Sequence, residues 1–198
     1  MPELHIPAGG SRLLLHSCCA PCSGAIIEAL VANEIRPLVF FSNSNIVPLS
    51  EYELRRSELE RYCRSLGVET VNDEYDHRAW LDAVRGLEHE PERGLRCLEC
   101  FKFRLRRAAR YACCNGYDVL TTSLASSRWK DLDQVNEAGI AACTEASETY
   151  GKPLIWWDQN WRKGGLQPRR NEIIHEQNFY NQTFCGCEFS KYFALFAD

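Results

Sequence analysis

The stretch Arg12-Leu13-Leu14-Leu15-His16-Ser17-Cys18-Cys19-Ala20-Pro21-Cys22-Ser23 decides how the chain is read. Arg12 to His16 is a short apolar run between Gly9-Gly10 and a Pro-containing turn, the pattern of a buried strand. Ser23 is expected to cap a helix whose apolar positions Ala25, Ile26, Leu30 and Val31 recur at helical spacing and which Asn33 ends. Between a strand and a helix N-terminus, backbone N–H groups and the helix dipole lower a thiol's pKa. Thiolate is then available as ligand or nucleophile.

Working outward, Pro37 to Phe41 reads as a second strand, Ser42 to Ser50 as a polar loop and Glu51 to Leu66 as an amphipathic helix closed by Gly67. Val68 to Val71 is expected as a third strand and Arg78 to Arg85 as a short helix. Glu88 to Gly94 is a loop by its Pro and Gly, followed by a long helix over Leu98 to Asn115. Asp118 to Thr122 and Leu154 to Trp157 complete the strands; Arg169 to Asn178 is a helix, and the Cys185 region opens another. Strands alternating with helices predict an α/β fold, a mostly parallel sheet flanked by helices with a helical C-terminal segment. Ligands bind at the carboxyl ends of such strands, here after the first and the fourth.

The 198 residues correspond to one domain spanning 1–198, at roughly 150 residues per domain. With 45% hydrophobic and 25% charged residues, disorder and fibre are excluded. No run approaches the roughly 18 consecutive apolar residues of a membrane helix, and the first residues lack the pattern of a signal peptide. A soluble, cytoplasmic protein with no membrane partner is expected. A net charge of −4 argues against a nucleic-acid binder relying on overall charge, though a local basic face remains open.

Eleven cysteines is a high and odd number, so complete internal disulfide pairing is impossible. A reducing compartment turns attention to metal or redox chemistry. Seven of them fall in three tight groups, Cys18-Cys19 with Cys22, Cys97 with Cys100, and Cys185 with Cys187. Cys63, Cys113, Cys114 and Cys143 sit in helical patterns without a partner at ligand spacing and read as small packing residues. A structural zinc takes four ligands and leaves no open position. An iron–sulfur cluster takes up to four thiolates and moves electrons singly, leaving about three for a second centre. Spacing alone does not say which cysteine serves which.

Lys102, Arg106 and Arg110 recur at i, i+4 and i+8, with Arg104 and Arg107 beside them and Phe101, Leu105, Ala108, Ala109 and Ala112 on the opposite arc. Such a stripe is usually a solvated face. Beginning at Cys97-Cys100, it would suit an anionic substrate such as tRNA beside a metal. Arg128-Trp129-Lys130, Trp161-Arg162-Lys163 and Arg169-Arg170 add basic pairs, two of them with a Trp that is either core or a surface for stacking on a base. Neither GxxxxGK[ST] nor GxGxxG occurs, so nucleotide hydrolysis and NAD binding have no motif support. Asp131, Asp133 and Asp158 are expected in loops after the fourth and fifth strands, chiefly as caps or ion-pair partners, with Asp158 best situated for acid chemistry.

The chain resembles the QueH-type epoxyqueuosine reductases through LLLHSCCAPCS at Leu13 to Ser23, SNSNIVPLSEYELR at Ser42 to Arg55, and EPERGLRCLECFKFRL at Glu90 to Leu105. SRWKD at Ser127 to Asp131, DQNWRKGG at Asp158 to Gly165 and FYNQTFCGCEFS at Phe179 to Ser190 continue the match in order along nearly the whole chain. The resemblance implies a fold like the adenine-nucleotide alpha-hydrolase-like (HUP) class. It implies reduction of the epoxide of epoxyqueuosine, at the wobble position of tRNA, to the alkene of queuosine, the final step of queuosine biosynthesis, without cobalamin. The implied cofactors are a [4Fe-4S] cluster and an adjacent mononuclear metal, expected to be iron. Their ligands would come from Cys18, Cys19, Cys22, Cys97, Cys100, Cys185 and Cys187. The family also admits Asp at the position of Cys22, which leaves that residue's role open.

On this reading the partners are tRNA containing epoxyqueuosine and an external one-electron donor of ferredoxin or flavodoxin type. Lys102, Arg106, Arg110, Arg128, Lys130, Arg162 and Lys163 are the expected tRNA contacts, and Asp158 or His16 the candidate proton donors. Two rivals stand beside it. A PP-loop-like tRNA thiolation enzyme would carry an SGGxDS-type ATP loop where this chain has CCAPCS. A zinc-stapled tRNA-binding module would carry no catalysis.

Overall fold

The computed structural model describes residues 2–190. Five strands, β1 (Leu13–Ser17), β2 (Leu38–Phe41), β3 (Thr70–Asn72), β4 (Val119–Thr122) and β5 (Ile155–Trp156), form one sheet in the order β3-β2-β1-β4-β5. Every pairing is parallel, and Leu15 of β1 faces Val39 on one side and Thr121 on the other. β1, β2 and β4 are buried along their whole length. Strands covered on both faces need no alternation, which is why β1 and β2 read as continuous apolar runs.

Helices α1 (Ala20–Ala32), α2 (Leu49–Ser65), α3 (His77–Ala83), α4 (Leu95–Cys114), α5 (Leu132–Tyr150) and α6 (Leu166–Glu176) flank the sheet. The chain runs from β1 through α1 to β2 on one side, whereas β4 lies against the other side of β1. Strand order therefore reverses at β1, and the crevice beyond the carboxyl ends of β1 and β4 is the ligand position of such a sheet.

The helices begin earlier than the sequence suggests, and two of these shifts, in α1 and α4, matter for the thiols. α1 starts at Ala20 with Cys19 as its N-cap and Pro21 in the first turn, where a missing N–H costs nothing. Ser23 lies buried inside the helix and caps nothing. α4 starts at Leu95 with Gly94 as N-cap, so Cys97 and Cys100 fall in its first turns rather than at its mouth. Its inward face carries Leu98, Phe101, Leu105, Ala108, Ala109 and Ala112; burying Leu105 alone contributes about 2 kcal/mol.

α5 was not delimited in the sequence reading, which placed only Cys143 in a helical pattern there. Its buried positions Val135, Ala138, Gly139, Ala142, Cys143 and Ala146 have helical spacing but mostly small side chains, so the apolar periodicity is faint. A Cβ on Gly139 would stand 2.2 Å from the Trp156 ring, so the glycine is what lets α5 lie against β5. Asp131, expected in a loop, caps this helix, its Oδ1 accepting the backbone N–H groups of Asp133 (2.9 Å) and Gln134 (3.2 Å). Residues 188–190 begin a helical turn, and the continuation expected after Cys185 lies outside the described residues. Among the described residues no helix is long and apolar enough to cross a membrane.

Candidate metal centre

The crevice holds a cavity of about 870 Å³, and all seven grouped cysteines line it. The β1–α1 turn delivers Cys18, Cys19 and Cys22, the first turns of α4 deliver Cys97 and Cys100, and the chain after α6 delivers Cys185 and Cys187. Cys97 and Cys100 are three residues apart on one helix and so share a face. Gly186 has φ +109°, and a Cβ there would come within 3.0 Å of both Arg55 Nη1 and Ile46 Cγ1. The spacer between the last two cysteines is therefore a glycine. This segment is moored by Val47 N–H donating to the Gly186 carbonyl (2.9 Å) and by Arg55 donating to the carbonyls of Cys185 (3.0 Å) and Phe184 (3.3 Å). Glu51 holds Arg55 in turn at 2.6 Å.

Among the described residues, only Cys18, Cys19 and Cys22 bring three metal-ligating atoms within 4.8 Å of one another. Hydrogen bonds from Cys19 and Cys22 hold the Cys18 thiol well below its usual range against the opposing effect of burial, with Lys130 and Arg104 adding positive charge. Burial and the neighbouring Cys18 raise Cys19, and Cys22 is pushed up to about 11, chiefly by Cys18. One thiolate shared by three thiols is what the trio supports without a cation. A bound metal would deprotonate the rest. Cys97, pushed up to about 11, and Cys100 and Cys187, also raised, are held protonated mainly by burial.

The charges around these thiols point the same way. Arg96 and Arg104 are each 1% exposed, line the cavity and donate to neutral oxygens. Arg104 reaches the Ser42 carbonyl (3.2 Å) and Asn43 Oδ1, and Arg96 reaches the carbonyls of Glu88 (2.8 Å) and Glu90. Arg96 Nη2 is buried without a partner. Burying a cation among neutral acceptors is costly unless an anionic group shares the site. Lys130 completes the set: burial works against its charge, whereas thiolates at Cys185, Cys18 and Cys22 would favour the ammonium. Soft thiolates, two buried guanidiniums and an orphaned donor fit a thiolate-bound metal group of net negative charge.

The other expected site residues are placed unevenly. His16 is fully buried, with Nδ1 2.7 Å from Thr122 Oγ1 and Nε2 3.1 Å from the Ser42 carbonyl, and burial and then Arg104 lower its pKa to about 3. One ring nitrogen is engaged by β4 and the other by the residue that follows β2, and His16 does not line the cavity. Asp158 is exposed and likewise outside the lining. On α4, Lys102 pairs with Glu99 (3.1 Å) and Glu137 (3.2 Å), and Arg106 with Glu145 (2.8 Å), two of these carboxylates coming from the unforeseen α5. Arg110, Arg128 and Lys163 are exposed and make no ion pair among the described residues. Arg162 donates to the carbonyls of Ser127 and Lys130, both at 2.7 Å. Of the seven basic residues, Lys130 alone lines the cavity.

Arg104, grouped in the sequence with the basic stripe, points the opposite way, as two steps of about 100° from Lys102 require. With Arg55 and Arg96 it forms the cationic wall that the sequence reading missed. The available signal was register: Arg96 adjoins Cys97, and Arg104 lies one turn beyond Cys100 on the same face. The two tryptophans also separate. Trp161 is core, fully buried with Nε1 donating to Thr121 Oγ1 at 3.2 Å, whereas Trp129 is 80% exposed and lines the cavity.

The family model described as epoxyqueuosine reductase QueH matches residues 13–192. The chain is 46% identical over 189 residues to the epoxyqueuosine reductase QueH of Histophilus somni, covering 96% of this chain and 76% of that one. It is 45% identical over 188 residues to the protein of the same name from Haemophilus influenzae, covering 95% and 75%. Against the corresponding Thermotoga maritima protein the identity is 33% over 181 residues, covering 90% and 89%. With three cysteine segments converging on one cavity and a family match running almost end to end, the chain belongs to the epoxyqueuosine reductase QueH family.

Proposed function

We propose that this chain is an oxidoreductase that converts epoxyqueuosine at the tRNA wobble position to queuosine. The reaction takes two electrons and two protons, breaks both carbon–oxygen bonds of the epoxide, and yields an alkene and water. The observation that carries the reading is the convergence of seven thiols in one cavity at the strand-order reversal, in a chain of this family.

Cys97, Cys100, Cys185 and Cys187 would hold a [4Fe-4S] cluster, being four in number and more widely spread than ligands of a single ion. Cys18, Cys19 and Cys22 would hold a mononuclear metal, expected to be iron, with a position left open for substrate. When bound, these groups supply single electrons from an external ferredoxin- or flavodoxin-type donor and a Lewis acid for the epoxide oxygen. Cobalamin has no part in this scheme.

The chain's own residues bind, orient and protonate. Arg96 and Arg104 keep the thiolate-lined cavity electrostatically balanced, and the Arg55 anchorage holds Cys185 and Cys187 against it. Lys130 Nζ bears the proton that we assign to the departing oxygen, since His16 is occupied by Thr122 and Ser42 and Asp158 lies outside. Exposed Arg128 and Lys163 are assigned to tRNA phosphates. A tRNA substrate locates this work in the cytoplasm. The test is the nucleoside profile of tRNA from cells lacking this protein. Epoxyqueuosine should accumulate, and restoring the intact chain but not Cys97→Ala should return queuosine; an unchanged profile would remove the reading.

A further inference from the structure

The loop Ser127-Arg128-Trp129-Lys130 is held by its carbonyls. Arg162 Nη2 donates to the first and last, Ser127 and Lys130, both at 2.7 Å. Arg93 takes the two between, its Nη2 donating to the Arg128 carbonyl (2.7 Å) and its Nε to that of Trp129 (3.2 Å). All four carbonyls of an irregular loop are thus bound by two guanidiniums. Arg93 is itself fixed beside the thiols, because its backbone N–H donates to Cys97 Sγ at 3.3 Å and its carbonyl accepts from Gln134 Nε2 at 2.7 Å.

What this clamp presents is Trp129, whose side chain is 80% exposed although it lines the thiol cavity. A large apolar ring kept in water on an immobilised loop contributes nothing to the core. Its ordering entropy is already spent before any ligand arrives, which is the condition under which an aromatic anchor binds well. The neighbours are basic on both sides, exposed Arg128 before it and half-buried Lys130 after it. A flat π-face between two cations at the mouth of a cavity is the chemistry that receives an unstacked base and its flanking phosphates.

Resting on the functional reading above, we propose that Trp129 is the stacking platform for a nucleobase adjacent to the modified nucleotide. The Arg93–Arg162 clamp acts as its positioning element. The ring holds the splayed anticodon loop so that the modified base enters the cavity while its neighbour remains outside on the indole. Trp129 thereby acts on substrate binding and the clamp acts through Trp129.

The test uses metal-loaded, anaerobic protein and a synthetic anticodon stem-loop carrying epoxyqueuosine. Trp129→Ala should weaken stem-loop binding by about tenfold or more. It should raise KM more than it lowers kcat, and leave the visible absorbance of the metal group unchanged. Trp129→Phe should retain most of the affinity. An abasic nucleotide at one of the two positions flanking the modified base should weaken wild-type binding similarly and cost the Trp129→Ala variant little more. Arg162→Ala should lose part of the affinity with Trp129 still present. Undiminished RNA binding by Trp129→Ala with normal wild-type reduction would overturn the stacking proposal alone. So would fully additive losses at both flanking positions, or slowed reduction by the donor protein with RNA affinity intact, which would make Trp129 a protein-docking residue. A wild-type protein that neither binds nor reduces the stem-loop would remove the functional reading, and the platform with it.

Discussion

Ser123 Oγ donates to Cys18 Sγ at 3.3 Å and accepts the Cys18 backbone N–H at 3.0 Å, tying the residue that follows β4 to the residue that follows β1. The contact crosses the strand-order reversal, where the parallel pairing of β1 and β4 ends. It also gives the most acidic thiol of the trio a fixed orientation.

Ser123→Ala should therefore keep the fold but lower metal retention at the Cys18, Cys19 and Cys22 group by roughly 10- to 100-fold, as loss of a ligand's outer partner does. Competition with a chelator, followed by metal analysis of wild-type and variant protein, measures this. Equal retention would detach Ser123 from the centre.

The grouped and isolated cysteines should behave differently. Ala at Cys97, Cys100 or Cys187 should abolish turnover and reduce iron and acid-labile sulfide from about four each per chain, with about one further metal in the intact protein. Ala at Cys63 or Cys143, both buried and pushed up to about 12 by that burial, should cost stability of order 1 kcal/mol and leave turnover largely intact. A fully active preparation containing zinc and no sulfide would contradict the assignment.

The Arg106 charge on the outer face of α4 should matter little for RNA. Arg106 is committed to Glu145 in a pair exposed on both sides, worth less than about 1 kcal/mol. Arg106→Glu should thus lower stability slightly and leave tRNA affinity within about twofold. Arg128→Met should weaken binding and reduce the slope of log affinity against log salt by roughly 0.7 to 0.9. Binding across a salt series separates the two, and the reverse ranking would return the footprint to α4.

His16 should make stability pH-dependent. Above its unfolded value of 6.5 the ring is neutral in both states, and the fold has its full stability. As pH falls from 6.5 toward the folded value of about 3, only the unfolded chain takes up the proton, and stability is lost by up to about 1.4 kcal/mol per pH unit. The unfolding midpoint of wild-type apoprotein should fall more steeply over this window than that of His16→Gln. Parallel slopes would show that the buried ring titrates normally.

The parallel sheet and the thiols were legible because their signals are local and strong: continuous apolar runs for β1 and β2, and cysteines at ligand spacing for the centre. α5 was not legible, since its contact face is built of Ala138, Gly139, Ala142 and Ala146, whose packing depends on α4 and Trp156 rather than on their own hydrophobicity. That omission propagated. Without α5, Glu137 and Glu145 were not available as partners, and Lys102 and Arg106 looked free for tRNA. The roles of Arg96 and Arg104 depended on helix register. A start at Leu95 instead of Leu98 places Cys97 and Cys100 inside the helix, with these arginines turned inward beside them. His16 and Thr122 meet only across the β1–β4 pairing, which no sequence spacing reveals.

The central claim is tested most directly by incubating anaerobically prepared, metal-loaded protein with tRNA containing epoxyqueuosine and a chemical or flavodoxin-type reductant, without ATP or cobalamin, then digesting the tRNA for mass spectrometry. Conversion of epoxyqueuosine to queuosine, with loss of one oxygen and none at all in Cys97→Ala, is the expected result. An unchanged epoxide under strictly reducing conditions, with the protein's iron and sulfide intact, would contradict the account.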